Sequence, residues 1–231
     1  MSISINHISK RFGSLRVYDD FSLDIPDGKI TCILGPSGCG KTTLLHMMNG
    51  TLSPDSGSLN GLKERAIAFV FQEPRLLPWK TVRGNLEFIL GKQVPVIEIK
   101  TLIDHTLDLV GLQEFQDHYP AQLSGGMKQR LALARAFAFP AEIILMDEPF
   151  RGLDPALKQL LMETFRKLWN EKKPTVVFVT HDLDDAFNLG GEILVLGHSP
   201  VQLLKKFVLP ESENERFVYR NEILSLMGMV E

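Results

Sequence analysis

The chain has 231 residues, enough for one domain with a sizeable core and an inserted subdomain; 44% hydrophobic and 23% charged composition excludes a mainly disordered polymer. A net charge of -3 and a pI near 6.1 lack the basic excess that DNA and RNA demand, so no nucleic-acid partner is expected. The richest apolar run, Ala136 to Met146, is broken by Pro140 and Glu142 and falls short of the roughly 20 residues that span a bilayer.

Along the chain, the first residues through Ile5 alternate like a strand, and Lys10-Arg11 follows them rather than leading an apolar core, so no secretory leader is expected. Cys32 and Cys39 are the only cysteines, too few for a disulfide framework and suited to a reducing cytoplasm. Ile30 to Leu34 is a short β-rich apolar run, Gly35 to Gly40 a glycine-rich loop, and Lys41 to Met48 a helix. Unalternating apolar runs recur at Ile143 to Met146, Thr175 to Val179 and Ile193 to Leu196, as in strands buried on both faces of a largely parallel sheet. Ile99, Leu102, Ile103, Leu107 and Val110 stand at helical spacing, and Ser124 is placed to cap a further helix running to about Phe139. Residues 80–139 therefore read as a helical insertion in an α/β core made of 1–79 and 140–231. From Glu213 onward, Phe217, Leu224 and Met227 share one helical face expected to pack on the core. No internal repeat is present, which implies one such α/β unit rather than two.

The chemistry begins at Gly35-Pro36-Ser37-Gly38-Cys39-Gly40-Lys41-Thr42, a phosphate-loop pattern between strand and helix. Its glycines let backbone N–H groups curl around a β-phosphate, and the helix start adds a favourable dipole. Lys41 is placed to reach the β- and γ-phosphates and the Thr42 hydroxyl to ligate Mg²⁺, with Thr43 completing the set. The apolar run to Met146 delivers Asp147 and Glu148 together, Asp147 to hold the metal through its water shell and Glu148 to polarise the attacking water. Leu123-Ser124-Gly125-Gly126-Met127-Lys128-Gln129-Arg130 is a second anion-binding helix start, with the Ser124 hydroxyl and the N–H groups of Gly125 and Gly126 expected to be exposed.

That last segment resembles the signature sequence of the ATP-binding-cassette (ABC) transporter ATPases. The resemblance covers nearly the whole chain and implies a P-loop NTPase (RecA-like) α/β core with an inserted α-helical subdomain and a peripheral antiparallel β-subdomain, using ATP and Mg²⁺. It also implies a head-to-tail dimer of two copies, in which Ser124, Gly125 and Gly126 clasp the γ-phosphate held by the other copy. The dimer would dock on a separate membrane permease served by a solute-binding protein, keeping this chain cytoplasmic and peripheral to the membrane. Gln72, in Phe71-Gln72-Glu73-Pro74, resembles the glutamine that reaches the Mg²⁺ and the water and senses the permease. His181 resembles the switch histidine that contacts the γ-phosphate, and Asp154 the aspartate loop that crosses between subunits. Phe12 stands where an aromatic ring stacks on adenine, with a core position near a strand end as its alternative.

Met127 in place of the commonest signature glutamine, with Pro74 to Trp79, resembles importers of nitrate, sulfonates and taurine. Arg151 stands where a small residue is usual, the peripheral β-hairpin reads as trimmed between Ser58 and Ala66, and Gly190-Gly191-Glu192 replaces the usual Asp-Arg. Family members acting on DNA or in translation usually carry paired cassettes, coiled coils or basic surfaces, and this sequence has none of these. Gln72, Leu76, Leu77 and Trp79 are expected to form an exposed patch that receives a permease helix, the alternative being inward packing. Cys39, two residues before Lys41, is expected to have a lowered pKa and to react with thiol reagents unless its side chain points into the floor of the loop.

Overall fold

The computed structural model describes residues 2–91, 93–189, 191–210 and 213–228, and the chain divides into two compact units. One comprises residues 1–65, 145–148 and 175–231; the other comprises 66–144 and 149–174.

In the first unit, β1 (Ser2–Phe12) pairs antiparallel with β2 (Leu15–Pro26) and with β4 (Ser56–Asn60), giving the peripheral three-stranded sheet β2-β1-β4. The register Ile3↔Ile25 and Ile5↔Leu23 follows from alternation, because a one-residue slip would turn these buried side chains to water. The central strand β3 (Ile30–Leu34) leads through the glycine loop into α1 (Lys41–Met48). It lies parallel to both β7 (Thr175–Thr180) and β8 (Glu192–Leu196), and β9 (Leu203–Val208) runs antiparallel at the edge beside β8. Every residue of β3, β7 and β8 is buried, which is why apolar residues follow one another there without alternation, apart from Thr31, Thr175, Thr180 and Glu192. The end of β6 (Ile143–Asp147) lies beside β7, with the Glu148 N–H donating to Val179 O at 3.0 Å. The short helix α6 (Leu183–Leu189) packs on β3.

The closing helix α7 (Glu213–Leu226) differs from expectation. Its packed face is set by Tyr219, whose ring stands 5.3 Å from Phe207 of β9, and by Ile223 one turn on, which is fully buried. Phe217 precedes Tyr219 by two residues, about 200° around a helix, and is 65% exposed, while Leu224 and Met227 are half-buried. Gly190 of the Gly190-Gly191-Glu192 departure lies outside the described residues.

The second unit holds β5 (Ile67–Val70), α2 (Val82–Leu90), α3 (Val96–Leu109), α4 (Gly125–Ala138), the start of β6 and α5 (Pro155–Lys172). Ala66 O accepts the N–H of Glu142 at 2.9 Å, seating β5 beside the start of β6. Helix α4 packs against α2, α3 and α5, with Phe137 edge-on to Phe165 at 5.5 Å between centroids. Among the described residues no helix is long and apolar enough to cross a membrane.

The loop before α2 hangs on one side chain. Asn85 is fully buried; its Oδ1 accepts the Leu77 N–H at 2.9 Å and its Nδ2 donates to Thr81 O at 2.9 Å. This draws Leu76 and Leu77 half inward while Gln72 stays exposed and Trp79 stays 68% exposed, so the expected patch is only partly at the surface. Asn85→Ala strands buried backbone groups and is expected to cost about 1–3 kcal/mol in urea unfolding. An unchanged midpoint would show that the loop holds itself.

Candidate functional site

In the first unit the groups that carry charge follow the carboxyl ends of the buried strands. After β3 the loop turns through Gly40, whose φ of 123° suits glycine alone, and a Cβ there would stand 2.7 Å from Val17 Cγ1. Gly35 and Cys39 are buried, Pro36 is half-buried, and Ser37 and Gly38 form the exposed rim. The Lys41 ammonium is buried and donates to the Gly35 and Pro36 carbonyls at 2.8 Å each, so it lies folded against its own loop. Helix α1 follows Gly40, which supplies no side-chain cap, and has no acidic residue in its first turn. Its leading N–H groups thus lack intrahelical acceptors, which suits a phosphate.

Residues that sequence reasoning passed over support this loop from beneath. The Tyr18 hydroxyl donates to Gly40 O at 2.9 Å, and burial pushes its pKa up, keeping it a donor. Ser199 Oγ donates to Cys39 O at 3.3 Å, and the Val201 N–H donates to Val17 O at 2.8 Å. The apolar alternation of β2 runs through Val17, Phe21, Leu23 and Ile25 and leaves Tyr18 out of phase, so the sequence carried no signal for this residue or its hydroxyl.

Thr42 is exposed, Thr43 half-buried, and the Thr42 hydroxyl donates to Asp147 Oδ1 at 3.0 Å. Burial raises the Asp147 pKa, the Thr42 hydrogen bond opposes that rise, and the adjacent Glu148 charge adds to it. A hydroxyl and a destabilised carboxylate side by side are hard oxygen donors that a divalent cation would satisfy, so the residues fit Mg²⁺. Glu148 holds a left-handed φ of 43°, unusual for a side chain of its size and typical of functional positions. Its carboxylate, only 11% exposed, has Oε1 3.2 Å from His181 Nδ1. Lys41, Thr42, Asp147, Glu148 and His181 thus all belong to one unit. Phe12 ends β1 and is 48% exposed, with Lys10 Nζ 5.7 Å from its ring centroid, so the core alternative is not the one adopted.

In the second unit Ser124 caps α4, its Oγ accepting the Met127 N–H at 3.3 Å. Gly125 is exposed, but Gly126 is buried, a correction to the expected exposure of both. A Cβ on Gly126 would run into Leu157, so this glycine lets α4 and α5 approach closely. Asp154 is exposed and caps α5, accepting the Leu157 N–H at 3.0 Å. Ser124, Gly125, Gly126, Met127, Asp154 and Leu157 line one concavity, and Arg151 is exposed nearby in sequence. Gln72 lies exposed on the loop after β5.

Cys39 corrects a further expectation. It is 2% exposed, and a Cβ on Gly35 would come within 3.2 Å of its Sγ, so the thiol points into the floor of the loop. Burial pushes its pKa up, outweighing the Lys41 charge and the loop N–H groups that pull it down.

A strand, glycine loop and helix with a buried lysine, followed by a carboxylate pair at a neighbouring strand end, define a phosphate-loop nucleotide-binding protein. A family model described as ABC transporter matches residues 18–151, and the chain belongs to that family, as its ATP-binding, ATPase-class domain. It is 41% identical over 212 residues to the sulfate/thiosulfate import ATP-binding protein CysA of Synechocystis sp., covering 87% of this chain and 60% of that protein. It is 39% identical over 220 residues to the taurine import ATP-binding protein TauB of Roseobacter denitrificans, covering 90% of this chain and 82% of that one. A solved dimeric, post-hydrolysis structure of the ATP-binding cassette MJ0796 bound to ADP and Pi matches with a TM-score of 0.72 and 31% identity, over 89% of this chain and all of that one.

Two outcomes follow. Neither cysteine is expected to react with a maleimide in the folded protein near neutral pH, and both should react after denaturation; rapid native labelling of Cys39 would contradict the buried thiol. Because the raised pKa of Asp147 means the fold disfavours its ionised form, stability is relieved as pH falls through the folded pKa and is diminished above it. Asp147→Asn, which keeps an acceptor for Thr42, is therefore expected to raise the melting midpoint measured without nucleotide, and a lowered midpoint would contradict the sign.

Proposed function

We propose that this chain is the ATP-hydrolysing subunit of an ABC importer for a small organic or inorganic solute such as a sulfonate, taurine, sulfate or nitrate. The observation that carries the reading is the placement of the Glu148–His181 pair beside the Thr42–Asp147 pair at the mouth of the Lys41 loop. The names of the sulfate/thiosulfate and taurine relatives support the solute class.

In this reading the rim of Gly35, Pro36, Ser37, Gly38, Cys39 and Gly40 offers backbone N–H groups to the β-phosphate, and the start of α1 at Lys41, Thr42 and Thr43 adds its own. Lys41 exchanges its two loop carbonyls for β- and γ-phosphate oxygens. Thr42 and Asp147 would hold Mg²⁺, which would supply positive charge against the phosphate oxygens. Glu148 takes a proton from the attacking water, and His181 contacts the γ-phosphate and steadies Glu148. Phe12 stacks on adenine through its exposed ring.

Two copies close head to tail, Ser124 and Gly125 of each facing the nucleotide of the other while Gly126 holds α4 on α5 and Asp154 lies at the crossing. Residues 80–139 act as the signature-bearing helical subdomain, and Gln72, with the exposed Trp79, links the nucleotide site to a membrane permease fed by a solute-binding protein. The chain would then sit on the cytoplasmic side, peripheral to the membrane.

Glu148→Gln is expected to keep Mg·ATP binding while slowing steady-state phosphate release about 10²–10⁴-fold. The same variant should accumulate a dimer at saturating Mg·ATP in size-exclusion chromatography. Near-normal turnover would remove Glu148 from the chemistry, and a persistent monomer would remove the clasp.

A further inference from the structure

We propose that Asp185 is a positioning residue for His181, acting through Thr180; this rests on the function proposed above, in which His181 contacts the γ-phosphate. Asp185 lies in the first turn of α6, yet it is only 2% exposed. Its Oδ2 accepts the Thr180 hydroxyl at 3.2 Å, and the same Thr180 oxygen accepts the Asp182 N–H at 3.0 Å. A carboxylate can only accept, so the single Thr180 proton is committed to Asp185, and the Thr180 lone pairs are left to face the Asp182 amide. The direction of both bonds is thereby fixed. His181 is the one residue between the two anchored positions.

The rest of the turn tightens the same segment. Asp182 Oδ1 accepts the Asp184 N–H at 2.8 Å, so the start of α6 is already served by an exposed-side cap. Capping alone therefore gives no reason to bury a second carboxylate, which costs desolvation. What the buried carboxylate adds is a hold on Thr180, the last residue of β7, at the point where the chain leaves the sheet. Parallel pairing of Thr180 with Leu34 fixes one side of that exit, and Asp185 fixes the other. The result is a histidine ring with Nδ1 3.2 Å from Glu148 Oε1, a separation that a shift of about 1 Å would break, and misplacements of that size cost about 10²-fold in rate.

Helix α6, which carries Asp185, packs on β3, the strand that launches the phosphate loop, and the Cys32 thiol of that strand is held up first by burial and then by the Asp185 charge.

The test is a double-mutant cycle on turnover. Asp185→Ala, His181→Ala and the double variant are compared for kcat, KM for Mg·ATP and Kd for ADP, beside Thr180→Val and Thr180→Ser. Asp185→Ala and Thr180→Val are expected to lower kcat about 10-fold or more with ADP affinity unchanged, and Thr180→Ser, which keeps the hydroxyl, should restore most of the turnover. In the His181→Ala background, Asp185→Ala should change kcat less than about 2-fold, although it should lower the melting midpoint in both backgrounds. A purely structural role predicts the opposite: equal losses in both backgrounds, or Thr180→Ser as poor as Thr180→Val. Full turnover in His181→Ala would overturn the reading of His181 itself. Loss in His181→Ala with full turnover in Asp185→Ala would overturn the positioning role alone. Should Asp185→Ala not fold, the valine and serine variants of Thr180 carry the same decision.

Discussion

The parallel register of β3 against β7 is the constraint on which the site depends. Leu34 lies opposite Thr180, and the Glu148 N–H reaches Val179 O, so β3, β6 and β7 end at one level. The residues that follow carry Lys41 and Thr42, Asp147 and Glu148, and His181. A slip of two residues would keep every buried face apolar yet move one strand end by about 7 Å, beyond any hydrogen bond in the cluster. Function is therefore set by pairing in the sheet, at the carboxyl ends where open α/β sheets present their ligand sites.

Without ligand, the first unit stores unfavourable electrostatics and geometry in one small region. Lys41 satisfies its ammonium with the carbonyls of its own loop, while Asp147 is partly desolvated and Glu148 adopts a left-handed backbone. The last two are costs that a cation and a polyphosphate would offset. Tyr18, Val17 and Val201 matter for the same reason: a loop that must present its N–H groups outward needs rigid packing beneath it.

Much of this was legible in the sequence because it depends on short, strict spacings. A phosphate loop needs its glycines, lysine and hydroxyl at fixed offsets between strand and helix, and a carboxylate pair needs only an apolar strand to deliver it. The helix start at Ser124 was legible through capping chemistry, whereas Asp154 read only as part of the aspartate loop and its cap on α5 came from the structure. What stayed hidden was side-chain direction. Whether Cys39 points to phosphate or to floor turns on one dihedral that composition does not encode, and burial then decides its pKa. Gly126 read as exposed because glycine serves both phosphate contact and close helix packing, and Leu157 is distant in sequence. In α7 several faces carry apolar residues, so only contact with Phe207 selects Tyr219 and Ile223.

The candidate site residues are divided between the two units. One carries Lys41, Thr42, Asp147, Glu148 and His181; the other carries Ser124, Asp154 and Gln72. The central claim is that the amides of the glycine loop and the start of α1 form the phosphate bed. Hydrogen–deuterium exchange of the wild-type protein with and without saturating Mg·ATP tests it most directly. The account predicts strong new protection of the backbone amides of residues 38–43, each gaining an oxygen acceptor; nucleotide binding that leaves those amides exchanging at their ligand-free rates would contradict it.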